Sequence, residues 1–251
     1  MKASVTAPDG VRIAYDSVGE GAAVFLIHGF ASDRVQNWRA PGWYDTLTGA
    51  GYRVVAMDCR GHGESDKPRD PRMYGHDVMA GDAVAVMDAE GLAAPVVMGY
   101  SMGGHLGIQL VMHHGGRVAR LVIGGVGETY LTTGLRGRSA IADALETDDT
   151  STIATQVARD FRAFAEQAGK DRKALAACMR AERKPVTAEQ LSRVRQPVLV
   201  VCGEKDVLTG APDGLAAAFP NGRAVTVPKR DHMTTVGDKL YKQAVLDFLS
   251  Q

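Results

Sequence analysis

The sequence predicts an α/β fold, a doubly wound and mostly parallel sheet with a small helical cap inserted after the sixth strand. Short apolar runs rich in β-branched residues recur along the chain, and segments of helical periodicity fill the intervals between them. One interval, between Ile123 and Val198, spans about seventy residues, far more than a crossover needs. With 251 residues, the chain is long enough for one large domain with a modest insertion.

The predicted elements begin with a hairpin, because Val11 to Val18 alternates and follows a turn signal at Asp9-Gly10. The next strands are continuous apolar runs, as expected for strands buried on both faces: Ala23 to Ile27, Arg53 to Met57, Val96 to Met98, Leu121 to Ile123, Val198 to Val201 and Ala224 to Val227. Helices are predicted over Trp43 to Ala50, Met79 to Glu90, Met102 to His114, Asp213 to Phe219 and Lys239 to Leu249.

The long interval divides the chain into a core domain, 1–126 with 196–251, and a cap insertion, 127–195. Within the insertion, 150–168 and 171–183 have the spacing of amphipathic helices. The first of these predicted helices carries its apolar residues along one face: Ile153, Val157, Phe161, Phe164 and Ala165.

Charge and cysteine content exclude several classes of protein. The 29 basic and 29 acidic residues cancel, so we expect no nucleic acid partner and no attraction to an anionic membrane. The three cysteines are widely spaced and form no CxxC pair, which argues against a disulfide framework and a zinc site. The sequence shows no signal-peptide pattern and no run of 18 apolar residues, so we expect a cytoplasmic location and no membrane association. Composition does not distinguish a monomer from a homodimer.

The most informative motif is Gly99-Tyr-Ser-Met-Gly103, which follows an apolar run and opens a helical segment. This order predicts a strand, a sharp turn and a helix, with Ser101 strained and exposed at the turn. A serine nucleophile needs a base and a group that orients the base. Asp206 and His232 follow two later strands, and the chain order Ser101, Asp206, His232 is that of α/β-hydrolases. We therefore predict these three as the catalytic residues.

Other residues remain possible for the orienting acid, namely Glu204, Asp231 and Glu128, which all follow predicted strands. Catalysis by such a serine also needs two backbone N–H groups to hold the oxyanion of the tetrahedral intermediate. The residue after the nucleophile and the loop after an early strand supply them, which indicates Met102 and Phe30.

With these motifs the sequence resembles the α/β-hydrolase superfamily, in particular its cap-bearing serine esterase and lactonase-like members. Three stretches carry the resemblance: His28-Gly29, Asp58-Cys-Arg-Gly-His-Gly-Glu-Ser65 and Gly99-Tyr-Ser-Met-Gly-Gly104. The resemblance implies no metal and no organic cofactor, and an architectural role for the 58–65 turn. It implies that Ser101 attacks an acyl carbon, His232 transfers the proton and Asp206 fixes the imidazole.

The expected activity is hydrolysis of small carboxylic esters or lactones through an acyl-enzyme, and the candidate substrate-pocket residues are His28, Gly29, Tyr100 and Tyr130. An alternative is a carbon–carbon bond hydrolase or enol-lactonase, which uses the same triad and needs a subsite for a substrate carboxylate. The insertion offers arginines for such a subsite: Arg136, Arg138, Arg159, Arg162 and Arg180. A non-catalytic protein that binds a small ligand on this fold is the alternative of another class.

Overall fold

The computed structural model describes residues 2–132, 137–167 and 169–251 and forms a mostly parallel eight-stranded sheet with helices on both faces. The predicted fold class is confirmed. The strands are β1 (Lys2–Thr6), β2 (Arg12–Val18), β3 (Ala23–Ile27), β4 (Arg53–Met57), β5 (Val96–Tyr100), β6 (Arg120–Gly124), β7 (Val198–Gly203) and β8 (Gly222–Val227).

The strand order is β1-β2-β4-β3-β5-β6-β7-β8. The β1–β2 hairpin and the β2–β4 pair are antiparallel, and every pair from β4 to β8 is parallel. Because the carboxyl ends of parallel strands meet at one edge of a sheet, the loops after β3, β5, β7 and β8 come together there. This edge is where the sequence places the candidate catalytic residues.

The longer intervals contain ten helices within the described ranges. They are α1 (Trp43–Gly49), α2 (His76–Ala89), α3 (Met102–His113), α4 (Thr129–Thr132), α5 (Arg138–Glu146), α6 (Gln156–Ala165), α7 (Arg172–Arg180), α8 (Ala188–Leu191), α9 (Asp213–Ala217) and α10 (Lys239–Leu249). A π-helical turn, Val35–Arg39, follows β3. None of the helices in these ranges has the length and apolar character needed to cross a bilayer.

The sheet is covered on both faces, which explains the continuous apolar runs of its strands. Alternate residues of β3 point to opposite sides. Phe25 and Ile27 pack in the cluster that contains α2, α3 and α9, whereas Val24 and Leu26 pack in the cluster that contains α1 and α10. All four side chains are fully buried.

The bounds of β3, β4 and α10 are as predicted, and most other predicted elements differ by a few residues at their ends. The sequence pattern predicted no start or end for β1, the first strand of the hairpin. Its five residues, Lys2–Thr6, are at least partly exposed, so they carry no buried apolar run.

Between β6 and β7 the chain forms α4 to α8. The predicted helices at 150–168 and 171–183 correspond to the shorter α6 and α7, while α5 was not predicted. The apolar residues predicted to share one face of the 150–168 helix differ in burial, and Ile153 lies before the start of α6. Ile153 and Ala165 are buried in the core, whereas Val157 is about 40% exposed.

Candidate active site

Ser101 occupies the sharp turn between β5 and α3, with φ 52° and ψ −112°. This left-handed conformation is rarely adopted by a residue with a side chain. Two neighbouring glycines allow the turn to form. A Cβ atom at Gly99 would lie 2.0 Å from the carbonyl oxygen of Gly103, and a Cβ at Gly103 would lie 2.0 Å from that of Ile27. The crossing of strand and helix therefore requires glycine at both positions.

The structure brings the three predicted catalytic side chains together. The Ser101 Oγ lies 3.1 Å from Nε2 of His232, and Nδ1 of the same ring lies 2.8 Å from Oδ2 of Asp206. Both distances are hydrogen-bond distances. An aspartate at Nδ1 fixes the ring tautomer that leaves Nε2 free to accept the serine proton.

Asp206 is only 4% exposed. Its second oxygen, Oδ1, accepts hydrogen bonds from the backbone amides of Leu208 and Thr209 at 3.1 and 3.2 Å. Burial acts to raise the pKa of this carboxyl, but the hydrogen bond and charge of His232 and the bonds of the following turn outweigh it. The pKa of Asp206 therefore lies below its ordinary value, and the group is a carboxylate at neutral pH.

The alternative acids have other partners. Glu204 accepts a hydrogen bond from the amide of Lys229, and Asp231 accepts bonds from the amides of Met233 and Thr234. Both therefore serve turns of the backbone. Among the described residues, the carboxylate in contact with His232 is that of Asp206.

The two predicted oxyanion amides, those of Phe30 and Met102, flank the serine at the ends of β3 and β5. Neither amide has a hydrogen-bond acceptor within the described part of the chain. The loop passes close to the nucleophile at Gly29, where a Cβ would lie 3.3 Å from Oδ1 of Asn37, 3.4 Å from the carbonyl oxygen of Tyr100 and 3.5 Å from Cβ of Ser101. The Gly29 amide donates to Oδ1 of Asn37 at 2.9 Å, which anchors this loop to the π-helical turn. π-Helical turns occur frequently at functional sites.

His28 lies beneath this loop. Its side chain is fully buried, its Nδ1 lies 2.7 Å from the carbonyl oxygen of Gly29, and its Nε2 accepts a hydrogen bond from the Cys59 amide at 2.9 Å. Burial lowers the pKa of this imidazole, so the ring is neutral with its proton on Nδ1. His28, which we expected in the substrate pocket, is not among the residues that line the cavity at Ser101, and its two ring nitrogens join two loops instead.

The 58–65 turn has a structural arrangement. Asp58 accepts bonds from the amides of Arg34 and Glu64 and pairs with the buried guanidinium of Arg34. The Arg60 side chain bridges Asp82 and Asp9. Asp58 thus joins the loops after β3 and β4, and Arg60 joins the second of these loops to α2 and to the β1–β2 turn.

A cavity of about 880 Å³ opens at Ser101 and His232. Gly29, Phe30 and Tyr100 line it on the core side, and the hydroxyl of Tyr100 donates to the carbonyl of His232 at 2.5 Å. The opposite wall comes from α6 and the residues after it, namely Val157, Asp160, Phe161, Ala163, Phe164 and Gln167.

Tyr130, which we expected in the substrate pocket, is not among the residues that line this cavity. Its ring packs edge-on against His105, with 4.9 Å between the centroids. Tyr130 lies three residues after Gly127, and no local sequence signal fixes the direction of its side chain. The described residues contain no group of three or more His, Cys, Asp or Glu side chains placed to hold a metal ion.

The sequence did not predict that Asn37 and Phe161 lie at the candidate active site. Asn37 reaches Gly29 only because the chain forms a π-helical turn, which has no recognised sequence signal. Phe161 meets Phe30 with 5.7 Å between ring centroids, a contact between residues 131 positions apart.

A family model described as the alpha/beta hydrolase fold matches residues 22–174, more than half of the chain. The chain belongs to the α/β-hydrolase family. Members of this hydrolase family share the sheet and the strand-to-helix turn described above.

The chain is similar to proteins with several different activities. A putative 2-succinyl-6-hydroxy-2,4-cyclohexadiene-1-carboxylate synthase from Bacillus subtilis is 28% identical, with 98% of both chains covered. A non-heme haloperoxidase from Rhodococcus erythropolis is 40% identical over 124 residues, which cover 47% of this chain and 42% of that protein. The crystal structure of a hydrolase from Pseudomonas aeruginosa PA01 superposes with a TM-score of 0.83 at 27% identity, covering 100% of this chain and 98% of that one.

Proposed function

We propose that this α/β-hydrolase is a serine hydrolase that cleaves small carboxylic esters or lactones through an acyl-enzyme. The observation that carries the proposal is the continuous hydrogen-bonded series from Asp206 through His232 to Ser101, which ends at the wall of a largely apolar cavity. A weakly acidic hydroxyl becomes a nucleophile when a base lies within hydrogen-bond reach and a third group orients that base.

In the proposed mechanism, Ser101 Oγ attacks the ester carbonyl while Nε2 of His232 accepts its proton. The amides of Phe30 and Met102 stabilise the oxyanion of the tetrahedral intermediate. The intermediate collapses, His232 returns the proton to the leaving alcohol, and the acyl group remains on the serine. Water, deprotonated by the same ring, then attacks the acyl-enzyme, and the ring returns the proton to Ser101 Oγ as the acid is released. Asp206 remains a carboxylate and stabilises the imidazolium.

We further propose that residues 127–195 act as a cap over the site. The support comes from α6, whose Phe161 and Phe164 face the cavity that holds Ser101. An apolar cavity of this size, with a few polar groups near the serine, favours an apolar acyl or alcohol group of small to medium length in the part of the substrate that it encloses. The mechanism needs no cofactor, and we propose a cytoplasmic location.

The test is hydrolysis of 4-nitrophenyl esters from acetate to dodecanoate by the wild type and by Ser101→Ala. We expect turnover of the shorter esters and a fall of about four to six orders of magnitude in the variant, because only binding and the oxyanion amides remain. Ser250→Ala, a change at an exposed serine, is the matched control and retains the wild-type rate. Near-wild-type turnover by Ser101→Ala would refute the mechanism.

A second candidate is hydrolysis of a carbon–carbon bond or an enol-lactone by the same three residues. Such a substrate carries a carboxylate, and the half-buried guanidinium of Arg138 in the proposed cap favours it. A folded wild-type protein that is inactive on the whole ester series would favour this candidate or a ligand-binding role.

A further inference from the structure

Two arginines of the β6–β7 segment, Arg138 at the start of α5 and Arg183 just after α7, have no carboxylate partner. The ion pairs of the described residues include neither of them, and the residues outside the described ranges contain no Asp or Glu. Other inward-facing arginines differ in this respect. Arg34 pairs with three carboxylates and Arg60 with two.

Both guanidinium groups converge on the last turn of α7. Nη2 of Arg138 donates to the carbonyl oxygens of Cys178 and Met179 at 2.9 Å, and Nη2 of Arg183 lies 3.4 Å from the same Cys178 oxygen. Burial, together with the charge of Arg183, lowers the pKa of Arg138 to about 10. Carbonyl dipoles therefore solvate two like charges, but no negative charge neutralises them.

Unused hydrogen-bonding atoms face the same charges. The side chain of His76 is 9% exposed, and its Nε2 has no partner among the described residues. Burial, Arg183, His105 and Arg138 together lower the pKa of His76 to about 2. Nε of Arg183 is also buried and has no hydrogen-bond partner in the described part of the chain. A buried polar atom left unpaired is costly, so a bound group that satisfies it is favoured.

This cationic cluster, defined as Arg138, Arg183, His76 and His105, meets the candidate active site through His105. Burial, together with the charges of Arg183, Arg138 and His232, lowers the pKa of His105 to about 3. His105 lies one helical turn after Ser101 and donates its amide to the Ser101 carbonyl at 3.1 Å. None of the four residues lines the large cavity.

The α7 side of the cluster also reaches the oxyanion residue. Sγ of Cys178, whose carbonyl both arginines approach, lies 4.0 Å from Sδ of Met102. The serine therefore has two separate neighbouring regions, an apolar cavity and a cationic cluster.

We propose that the cationic cluster binds a carboxylate of the substrate, so that the preferred ester or lactone is an acidic one. An arginine fork matches a carboxylate, and the charge-assisted bonds would neutralise the two guanidinium groups. The inference rests on the proposed hydrolase activity, because the carboxylate is held beside the serine that cleaves the ester.

Three of the other arginines named for the insertion do not join the cluster. Arg162 pairs with Glu166 and donates to two carbonyl oxygens, and Arg180 pairs with Asp143 and Glu146. Arg159 donates to the carbonyl of Ile153 at the surface. Arg136 lies outside the described residues.

The experiment compares two esters that differ only at the end of the acyl chain, 4-nitrophenyl hexanoate and the 4-nitrophenyl monoester of adipic acid. The long spacer keeps the free carboxylate of the adipate from attacking its own ester. The measured quantity is the ratio of kcat/KM for the acidic ester to kcat/KM for the neutral one. We expect the wild type to prefer the acidic ester.

Arg183→Gln is expected to lower this ratio roughly tenfold to a hundredfold, the size of effect that loss of a charge-assisted bond produces. Arg183→Lys keeps the charge and is expected to lower the ratio less. Arg193→Gln is the matched control, because this exposed arginine pairs with Glu189 on the surface and its loss changes net charge alone. Its ratio is expected to remain that of the wild type.

A wild-type ratio near one, or a ratio that Arg183→Gln leaves unchanged, would overturn the inference, even when Ser101→Ala shows that the ester hydrolase proposal holds. If neither ester is hydrolysed, the carboxylate subsite is tested by the melting temperature in the presence of adipate, hexanoate or inorganic phosphate. Stabilisation by adipate in the wild type but not in Arg183→Gln supports the carboxylate subsite. Equal stabilisation by phosphate, or none by adipate, overturns it.

Discussion

Asp206 is held between a backbone turn and the imidazole of His232. One of its oxygens accepts two amide hydrogen bonds, and the other contacts Nδ1. An amide at this position keeps the same size but offers a donor where the ring also has one. The ring then adopts the tautomer that places its proton on Nε2, which no longer accepts the proton of Ser101.

We therefore expect Asp206→Asn to lower kcat by about four orders of magnitude, with little change in melting temperature. Steady-state kinetics on the preferred ester and thermal unfolding measure the two effects. Glu204→Gln is the matched control, since this exposed carboxylate follows the same strand and contacts the Lys229 amide instead. A larger loss of kcat in Glu204→Gln than in Asp206→Asn would show that Asp206 is not the orienting acid.

At the scale of the element, the β5–α3 turn depends on the absence of side chains. Gly99 and Gly103 face each other across the crossing, and Gly103 also meets the end of β3. The close packing of β5 against α3 positions Ser101. Whether the turn tolerates a substitution therefore depends on the space between the strand and the helix.

Gly99→Ala places a Cβ 2.0 Å from the carbonyl oxygen of Gly103, a distance that backbone atoms cannot adopt. We expect a destabilisation of roughly 1–3 kcal/mol or more, as for overpacked cores, and loss of activity because the serine shifts. Gly81→Ala is the control, since its Cβ in α2 would meet nothing within 4 Å. Alanine there is expected to stabilise by about 0.5–1 kcal/mol.

Chemical denaturation of both glycine variants gives the free energies of unfolding. Equal stability of Gly99→Ala and the wild type, with unchanged turnover, would contradict the steric account of the turn.

At the scale of the whole molecule, four histidines are held inside the fold with lowered pKa values: His28, His62, His76 and His105. Burial is the largest cause in each case. An unfolded histidine binds a proton as the pH falls below about 6.5, whereas these folded rings remain neutral. The unfolded state thus binds more protons than the folded state over this range, and stability decreases as the pH falls.

We expect the free energy of unfolding to fall steadily from pH 7 to pH 4, and His76→Gln to reduce the slope by up to about 1.4 kcal/mol per pH unit. The window follows from its folded pKa of about 2 and its ordinary value of 6.5. Urea unfolding at a series of pH values measures the slope. His114→Gln, which changes an exposed histidine, is the control. Identical slopes in wild type and His76→Gln would contradict the assignment of a neutral buried ring.

Much of the fold follows from local patterns. The runs that became β3 and β4 are apolar over their full length, so their burial between two helical layers is evident in the sequence. The insertion between β6 and β7 was evident from spacing alone, but α5 was not. Its nine residues form only about two and a half turns and include polar and charged side chains, so their apolar periodicity is short.

Side-chain direction was harder to predict than element type. Tyr130 was expected at the pocket and packs on His105 instead, whereas Phe161, placed only on an apolar stripe, meets Phe30. Each direction depends on how the β6–β7 segment packs on the sheet. Sequence periodicity describes one helix and contains no information about that packing.

The sequence by itself determined the order of strands β2 to β8 and of the helices that cover them, the glycine-flanked turn at Ser101 and the chain order of its partners, because these depend on periodicity and on steric limits within a few residues. The tertiary structure alone decided that Asp206 is the acid against His232, and that Arg138 and Arg183 meet without a carboxylate. These outcomes join residues tens of positions apart. They depend on loop conformation and on the balance between burial and charge in the packed molecule.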